Sequence, residues 1–181
     1  MAYTDINDPT DHFRIVLYNG NNNPQNIVWN ETDTNMQPDL LWIKSRSGNT
    51  VFNHVIGNVI SDEEYYLHPN TTGAEVNNGN VIASFNSNGF SVGGATFVSE
   101  GSRTYVAWGW KGNGSGASNE DGSIDSTVSV NTTSGCGVVA WNGNDGTVGH
   151  GLGVKPAVII IKSRQTVNNW VVFHKGLGTM S

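Results

Sequence analysis

Side chains able to do chemistry are thinly spread through this chain of 181 residues. Glycoside hydrolysis needs two carboxylates facing each other across a cleft. The acids fall instead into short loop clusters: Asp5/Asp8/Asp11, Asp62-Glu63-Glu64 and Glu120-Asp121. Asp62-Glu63-Glu64 opens an expected strand, which makes Glu63 and Glu64 the candidate acids of a glycan-cleaving site; a solvated turn explains the run more simply. A serine nucleophile of the Gly-x-Ser-x-Gly type sits on an elbow between a strand and a helix. Gly112-Asn113-Gly114-Ser115-Gly116 has only a superficial likeness to it. The five histidines, His12, His54, His68, His150 and His174, show no metal-ligand spacing. Asn142-Gly143-Asn144-Asp145-Gly146 clusters oxygen donors but lacks the frame and the bidentate glutamate of a calcium loop, so it reads as a hairpin turn. Cys136 is the single cysteine, which excludes an intramolecular disulfide. With no cation beside it in Ser134-Gly135-Cys136-Gly137, it reads as a buried small residue rather than a reactive thiol.

Binding chemistry has more candidates. Lys44/Arg46 and Lys162/Arg164 alternate on one strand face, opposite Leu41/Ile43 and Ile159/Ile161, which should point into a core. The basic pairs could bind an acidic glycan or a partner carboxylate; a sandwich edge, where long basic chains snorkel and pair with local acids, explains them better. Sugars stack on exposed aromatics, so Trp29, Trp42, Trp108, Trp110, Trp141 and Trp170 are all formal candidates. Most should fill a core or an interface. Trp29, followed by the polar Asn30-Glu31-Thr32-Asp33, is the one expected to be exposed. Catalytic, cofactor-binding and metal-ligating residues: none is assigned, no cofactor is implied, and the chain reads as a binding or structural module rather than an enzyme.

The elements that must position these side chains are strands. Charged residues make up 13% of the chain, apolar residues 36%, and there are 23 Gly and two dozen Asn. Gly and Asn accept positive φ and so mark tight turns. Turn residues in abundance with few helix formers predict an all-β fold of short strands. A net charge of −6 and a pI near 5.2 argue against nucleic-acid binding, which draws on a basic face. No apolar run approaches the roughly 20 residues that span a bilayer, and Met1-Ala2-Tyr3-Thr4-Asp5 has neither the basic nor the apolar region of a signal peptide.

An internal repeat organises the chain. Leu40-Leu41-Trp42-Ile43-Lys44-Ser45-Arg46 returns as Val158-Ile159-Ile160-Ile161-Lys162-Ser163-Arg164, each after a proline, Pro38 or Pro156. Ile15-Val16-Leu17-Tyr18-Asn19-Gly20-Asn21 returns as Val138-Val139-Ala140-Trp141-Asn142-Gly143-Asn144, and Val51-Phe52-Asn53-His54 as Val171-Val172-Phe173-His174. The pairing of His54 with His174 suggests a structural role for both. The reading divides the chain into an N-terminal arm (1–12), a β-sandwich repeat (13–111), a flexible Gly/Ser/Asn linker (112–123) and a partial second repeat (124–181). The second copy stops less than halfway through the unit. It is expected to leave open edges and apolar faces, to pair with the first copy or another subunit, and to belong to something longer. Strands are expected near 13–19, 25–30, 39–46, 50–55, 64–68, 80–86, 89–92, 95–99 and 103–111, with a further one within 124–133. So many short strands suggest a two-sheet jelly-roll sandwich. On the last of the nine, Trp108 and Trp110 share a face with Val106, while Ala107 and Gly109 leave room for close packing on the other.

The ordered blocks Tyr18-Asn19-Gly20-Asn21, Gln37-Pro38-Asp39-Leu40-Leu41-Trp42-Ile43-Lys44, Leu67-His68-Pro69-Asn70-Thr71-Thr72, Ser84-Phe85-Asn86-Ser87-Asn88-Gly89-Phe90 and Tyr105-Val106-Ala107-Trp108-Gly109-Trp110-Lys111 resemble a repeat domain of tailed-bacteriophage virion proteins, common in marine and cyanobacterial phages. Gly149-His150-Gly151-Leu152-Gly153-Val154-Lys155-Pro156 resembles the opening of its second repeat. The resemblance implies a concanavalin-like β-sandwich and a place on the virion, and it carries no catalytic residues. The expected function is a non-enzymatic virion structural protein, a tail fibre or tail-associated adhesin. Its expected partners are other virion proteins of the tail or capsid, a host-surface glycan and copies of itself, as a homotrimer. The alternatives are a capsid-decorating fibre or knob and, in another class, a glycan-cleaving or glycan-binding domain. Recognition is expected where the copies differ: the loops 21–37 and 144–155, the linker and the N-terminal arm.

Overall fold

A computed structural model describes residues 6–30, 34–143 and 145–177. Asp5, Glu31, Thr32, Asp33, Asn144 and Ser181 fall outside the described residues. The protein is all-β. The first repeat holds β1 (Phe13–Asn19), β2 (Gln25–Val28), β3 (Leu40–Ser45), β4 (Val55–Asn58), β5 (Tyr65–Tyr66), β6 (Val76–Asn77), β7 (Ile82–Asn86), β8 (Gly89–Val92), one helical turn α1 (Thr96–Ser99) and β9 (Thr104–Trp110). One sheet runs β1-β9-β3-β4 and a second β2-β8-β7, both antiparallel. Pairing is nested, β1 with β9 in one sheet and β2 with β8 in the other, in the jelly-roll manner.

Period-two alternation explains which residues meet between the sheets. Val16, Leu41, Ile43, Val55, Tyr105 and Ala107 come from the first sheet, and Ile27, Ile82, Phe90 and Val92 from the second; all are buried in one cluster. Leu41 and Ile43 point inward as their spacing predicts. The Gly109 prediction also holds: a Cβ there would lie 2.7 Å from Trp29 Cη2, so the missing side chain is what admits the indole. The segment 95–99, read from its β-branched residues as a strand, is instead the turn α1. Tertiary hydrogen bonds override propensity there. Tyr105 Oη donates to Thr96 O at 2.7 Å and accepts from Glu100 N at 2.8 Å, while Tyr18 Oη donates to Val98 O at 2.9 Å. The two rings stack at 5.1 Å. Burial pushes both phenols up, Tyr18 well up, so they remain neutral donors.

Residues 112–123 are not featureless. Ala117–Asn119 forms β10, paired with β11 (Ser126–Asn131), which pairs in turn with β12 (Cys136–Trp141). Before β10 the chain is clamped. The buried Asp39 accepts Gly112 N at 2.7 Å and Gly114 N at 3.3 Å through Oδ2. Ser129 Oγ accepts Asn113 N at 2.8 Å and donates to Gly114 O at 2.7 Å. Asp39→Ala strands two backbone donors, and we expect it to cost about 2 kcal/mol in urea denaturation, with faster amide exchange at Gly112 and Gly114.

The rest of the second repeat is a separate hairpin, β13 (Val158–Ile161) and β14 (Val171–His174). β12 and β13 correspond to β1 and β3. Strand pairing corrects the third sequence match. Leu40 faces Asn58 and Ile43 faces Val55, whereas Val158 faces His174 and Ile161 faces Val171. The counterpart of His174 is therefore Asn58, and His54 precedes β4. Backbone pairing to β3 and β13 sets this register, while residues 47–54 form a loop where a strand was expected over 50–55. The repeats touch through loops: Glu75 N donates to Arg164 O, Asn168 N to Thr72 O, and Trp170 Nε1 to Thr71 O at 2.9 Å. Arg164 Nε meets both Glu75 carboxylate oxygens, at 2.8 and 2.9 Å.

Candidate functional site

Much of the outer face of the β1-β9-β3-β4 sheet is apolar, although Lys44 lies on it beside Val106. Register places Ile15 beside Trp108, Trp108 beside Trp42 and Trp42 beside Ile56; the next row is Phe13, Trp110 and Leu40. Phe13 and Trp110 lie 4.9 Å apart, Trp42 and Trp108 6.3 Å. Toward the β1 edge the face is open, with Ile15 53% and Leu17 56% exposed. An edge strand with apolar residues on its solvent face is what proteins generally avoid unless another surface covers it.

His54 borders this face. Its Nδ1 accepts Trp42 Nε1 at 2.9 Å, its backbone N–H donates to Asn70 Oδ1 at 3.0 Å, and its carbonyl lies 2.6 Å from His68 Nδ1. Burial, helped by the Lys44 charge, holds His54 below its ordinary pKa. The unfolded chain therefore takes up the proton first as pH falls through about 6.5. The contribution of neutral His54 is full above that pH and is lost below it, because a proton on Nδ1 removes the acceptor that Trp42 uses. We expect melts followed by tryptophan fluorescence to fall in midpoint between pH 7 and 5, and His54→Gln to flatten that dependence.

The other candidates are scattered. Asp62, Glu63 and Glu64 are exposed, with Asp62 in a left-handed turn at φ 65°. Lys44 Nζ donates to Ser45 O at 3.0 Å, and Lys162 Nζ to Ser163 O at 2.7 Å: the two repeats fold this lysine back alike. Arg46 is exposed, and Arg164 pairs with Glu75. Trp29, expected at the surface, is 3% exposed; its Nε1 donates to Met36 O at 2.6 Å and its ring packs on Phe90 at 5.7 Å. Trp141 is partly exposed. Around the Asn142 turn, Gly143 has φ 140° and Gly146 lies against Ile124. Cys136 is half-buried, and burial pushes its thiol up. In the arm, Asp8 caps a turn over Pro9–Asp11; hydrogen bonds from the Thr10 hydroxyl and N–H hold its carboxyl below the usual range. His12 Nδ1 lies 2.8 Å from Asn131 Nδ2. Among the described residues no group of three His, Cys, Asp or Glu is placed to hold a metal ion, and no helix is long and apolar enough to cross a membrane.

A shallow concavity of about 480 Å³ lies where the copies differ, lined by Asp121, Val148 to Gly151 and Gly153 to Lys155. His150 Nδ1 accepts Leu152 N at 3.1 Å, and Ser126 Oγ donates to Gly149 O at 2.9 Å, so this loop is pinned. Sequence reasoning missed Asp39 and Arg103. Asp39 stands apart from other charges in the sequence, whereas Arg103 follows Glu100 by three residues, a spacing that could have signalled a local ion pair. Arg103 Nη1 donates to Ser47 O at 2.7 Å and Thr50 O at 2.8 Å, Nε pairs with Glu100, and the guanidinium sits 4.3 Å over Phe52.

No curated protein and no solved structure matches the chain. Residues 8–181 match the profile of a family described as a domain of unknown function, DUF7483. The chain therefore belongs to the DUF7483 family.

Proposed function

We propose that this protein is a non-enzymatic structural component of a tailed-phage particle, a tail fibre or tail-associated adhesin. The observation that carries the reading is the apolar outer face of the first repeat, with Ile15 and Leu17 more than half exposed on an edge strand. Such a face suits burial against another subunit. The internal repeat and the sequence resemblance to phage virion repeats point the same way, and low charge with amide-rich loops suits contacts made through backbone and side-chain amides. Other virion proteins, a homotrimeric assembly and a host-surface glycan are the partners in this reading, and the N-terminal arm is its particle-docking segment.

Immunogold electron microscopy on purified particles tests it, with label on the tail as the expected result. Label on the head would favour capsid decoration, and particles without label would overturn both. Ile15→Lys with Leu17→Lys should leave the melting temperature nearly unchanged, since both side chains are exposed, and lower incorporation about tenfold or more by burying charge in the contact. A glycan-binding reading has one observation of its own, the pinned concavity around His150, and glycan-array binding by free protein without particle association would favour it.

A further inference from the structure

The Lys-Ser-Arg run at the end of β3 returns just after β13, and the two copies differ in what their cations hold. In the second repeat both cations are occupied. Lys162 Nζ donates to Ser163 O at 2.7 Å and to Thr166 O at 3.1 Å. Arg164 holds the carboxylate of Glu75, with Nη2 2.7 Å from Oε2 and Nε meeting both oxygens. In the first repeat the same run is open. Lys44 Nζ donates to Ser45 O alone, and the exposed Arg46 has no partner for its guanidinium among the described residues. Both residues line a concavity of about 190 Å³ formed by residues 44–48, 50 and 51, none of them acidic. The loop around it is held in place. Arg103 Nη1 donates to Ser47 O and Thr50 O, at 2.7 and 2.8 Å, Thr104 N donates to Ser47 Oγ at 2.9 Å, and Gly48 turns at φ 97°. Arg103 itself is matched by Glu100, so the unmatched charges are those of Lys44 and Arg46. A loop fixed in this way lowers the ordering cost of binding.

We propose that this concavity binds the carboxylate of an acidic glycan, with the Arg46 fork and the Lys44 ammonium as its donors. The proposal rests on the glycan contact in the function proposed above and is independent of where on a particle the protein sits. The Arg164–Glu75 pair is the internal precedent: the same arginine, one repeat on, holds a carboxylate through two nitrogens. That fork matches a planar carboxylate. A volume below the roughly 300 Å³ of small-molecule pockets admits one charged group, so the rest of the ligand lies on the surface. The surroundings favour a sugar. The exposed Asn49 and Thr50 side chains have no hydrogen-bond partner among the described residues and are available to ring hydroxyls. Trp42, two residues before Lys44 on the same face, is half-buried and offers an aromatic surface to a sugar ring. Strand addition, a common mode for peptides, has no place here, because β3 already lies between β9 and β4. The net charge of −6 repels a dense polyanion at long range, so one carboxylate per sugar suits the site better than heavy sulfation. The concavity around His150 differs, since its Lys155 is accompanied by Asp121.

Calorimetric titration of the full chain with an oligogalacturonate tests the site. Binding is expected, with amide chemical-shift changes centred on residues 44–51. The methyl ester of the same oligosaccharide keeps the sugar and loses the charge, and should bind about tenfold or more weakly. Arg46→Gln should weaken binding of the acid about tenfold and leave the melting temperature unchanged, because the side chain is exposed and unpaired. Arg46→Lys should recover little, because an ammonium does not reproduce the fork. His150→Ala should leave binding unchanged. Equal binding of acid and ester, or an unchanged affinity in Arg46→Gln, overturns the site. Loss of binding in His150→Ala, with shift changes in that loop instead, also overturns it and leaves glycan binding standing at the other concavity. Tighter binding of a sulfated neutral oligosaccharide overturns the carboxylate assignment. Equal binding of an oligoglutamate peptide overturns the glycan in favour of a protein partner. Label on the tail of the particle with no binding of any of these probes overturns this site alone.

Discussion

Trp29→Ala should be the most damaging single substitution in the first repeat, with an expected loss of about 3–5 kcal/mol. Three effects add. The buried indole leaves a cavity beside Phe90 that a β-sandwich cannot fully close. Met36 O loses its donor at 2.6 Å. The loop that returns from β2 to β3 loses its anchor in the core. Gly109→Val should be damaging from the other side, because its Cβ would lie 2.7 Å from Trp29 Cη2 and 3.0 Å from Pro38 Cβ. The two residues share one volume, so their effects should not add. Denaturation of the four members of the cycle checks this: the double variant should be more stable than the sum of the single losses by about 1 kcal/mol or more. Strict additivity would mean that Trp29 and Gly109 are not packed on each other.

Arg103→Met should cost about 2–4 kcal/mol, as expected when a buried charged group with several partners is cut away. It strips the carbonyls of Ser47 and Thr50 of their donor, leaves Glu100 without its ion pair, and removes the cation over Phe52. The loss should concentrate in residues 47–52, seen as fast exchange and early proteolysis there while β3 and β9 remain protected. Arg103→Lys should recover little, because a single ammonium cannot reproduce a fork that reaches two carbonyls and a carboxylate at once. Full recovery by lysine would reduce the contact to simple charge.

The sequence made some of this legible. Alternation between turn residues marks β1 and β8 to the residue and β3 and β9 to within a residue at either end, because each has one face in a single core. Lys44 and Lys162 sit alike in both copies because the same Lys-Ser step folds each ammonium back onto the next carbonyl. Other features depend on partners far along the chain. Trp29 looks exposed from its polar neighbours and is buried because Gly109, eighty residues on, leaves space for it. The residues 95–99 have strand-like side chains, yet the Tyr18 and Tyr105 hydroxyls hold them in a helical turn. The match of His54 with His174 follows similar letters, whereas the ladder from β3 counts from Asn58. Of the candidate sites, the loop 144–155 could be named in advance because it differs between the copies. The apolar outer face could be read only in part, from Trp108 and Trp110, because the exposure of Ile15 and Leu17 depends on β1 lying at the edge.

The clamp at Gly112, Asn113 and Gly114 bears on more than the stability of one molecule. Main-chain hydrogen bonds to Asp39 and Ser129 give the junction a fixed geometry, so the step from one unit to the next is a set rotation and translation. Any array propagated through the same junction would repeat one screw operation. It would form a stiff rod of constant pitch whose length counts its units, and its resistance to bending would draw on this clamp together with the loop contacts between the repeats.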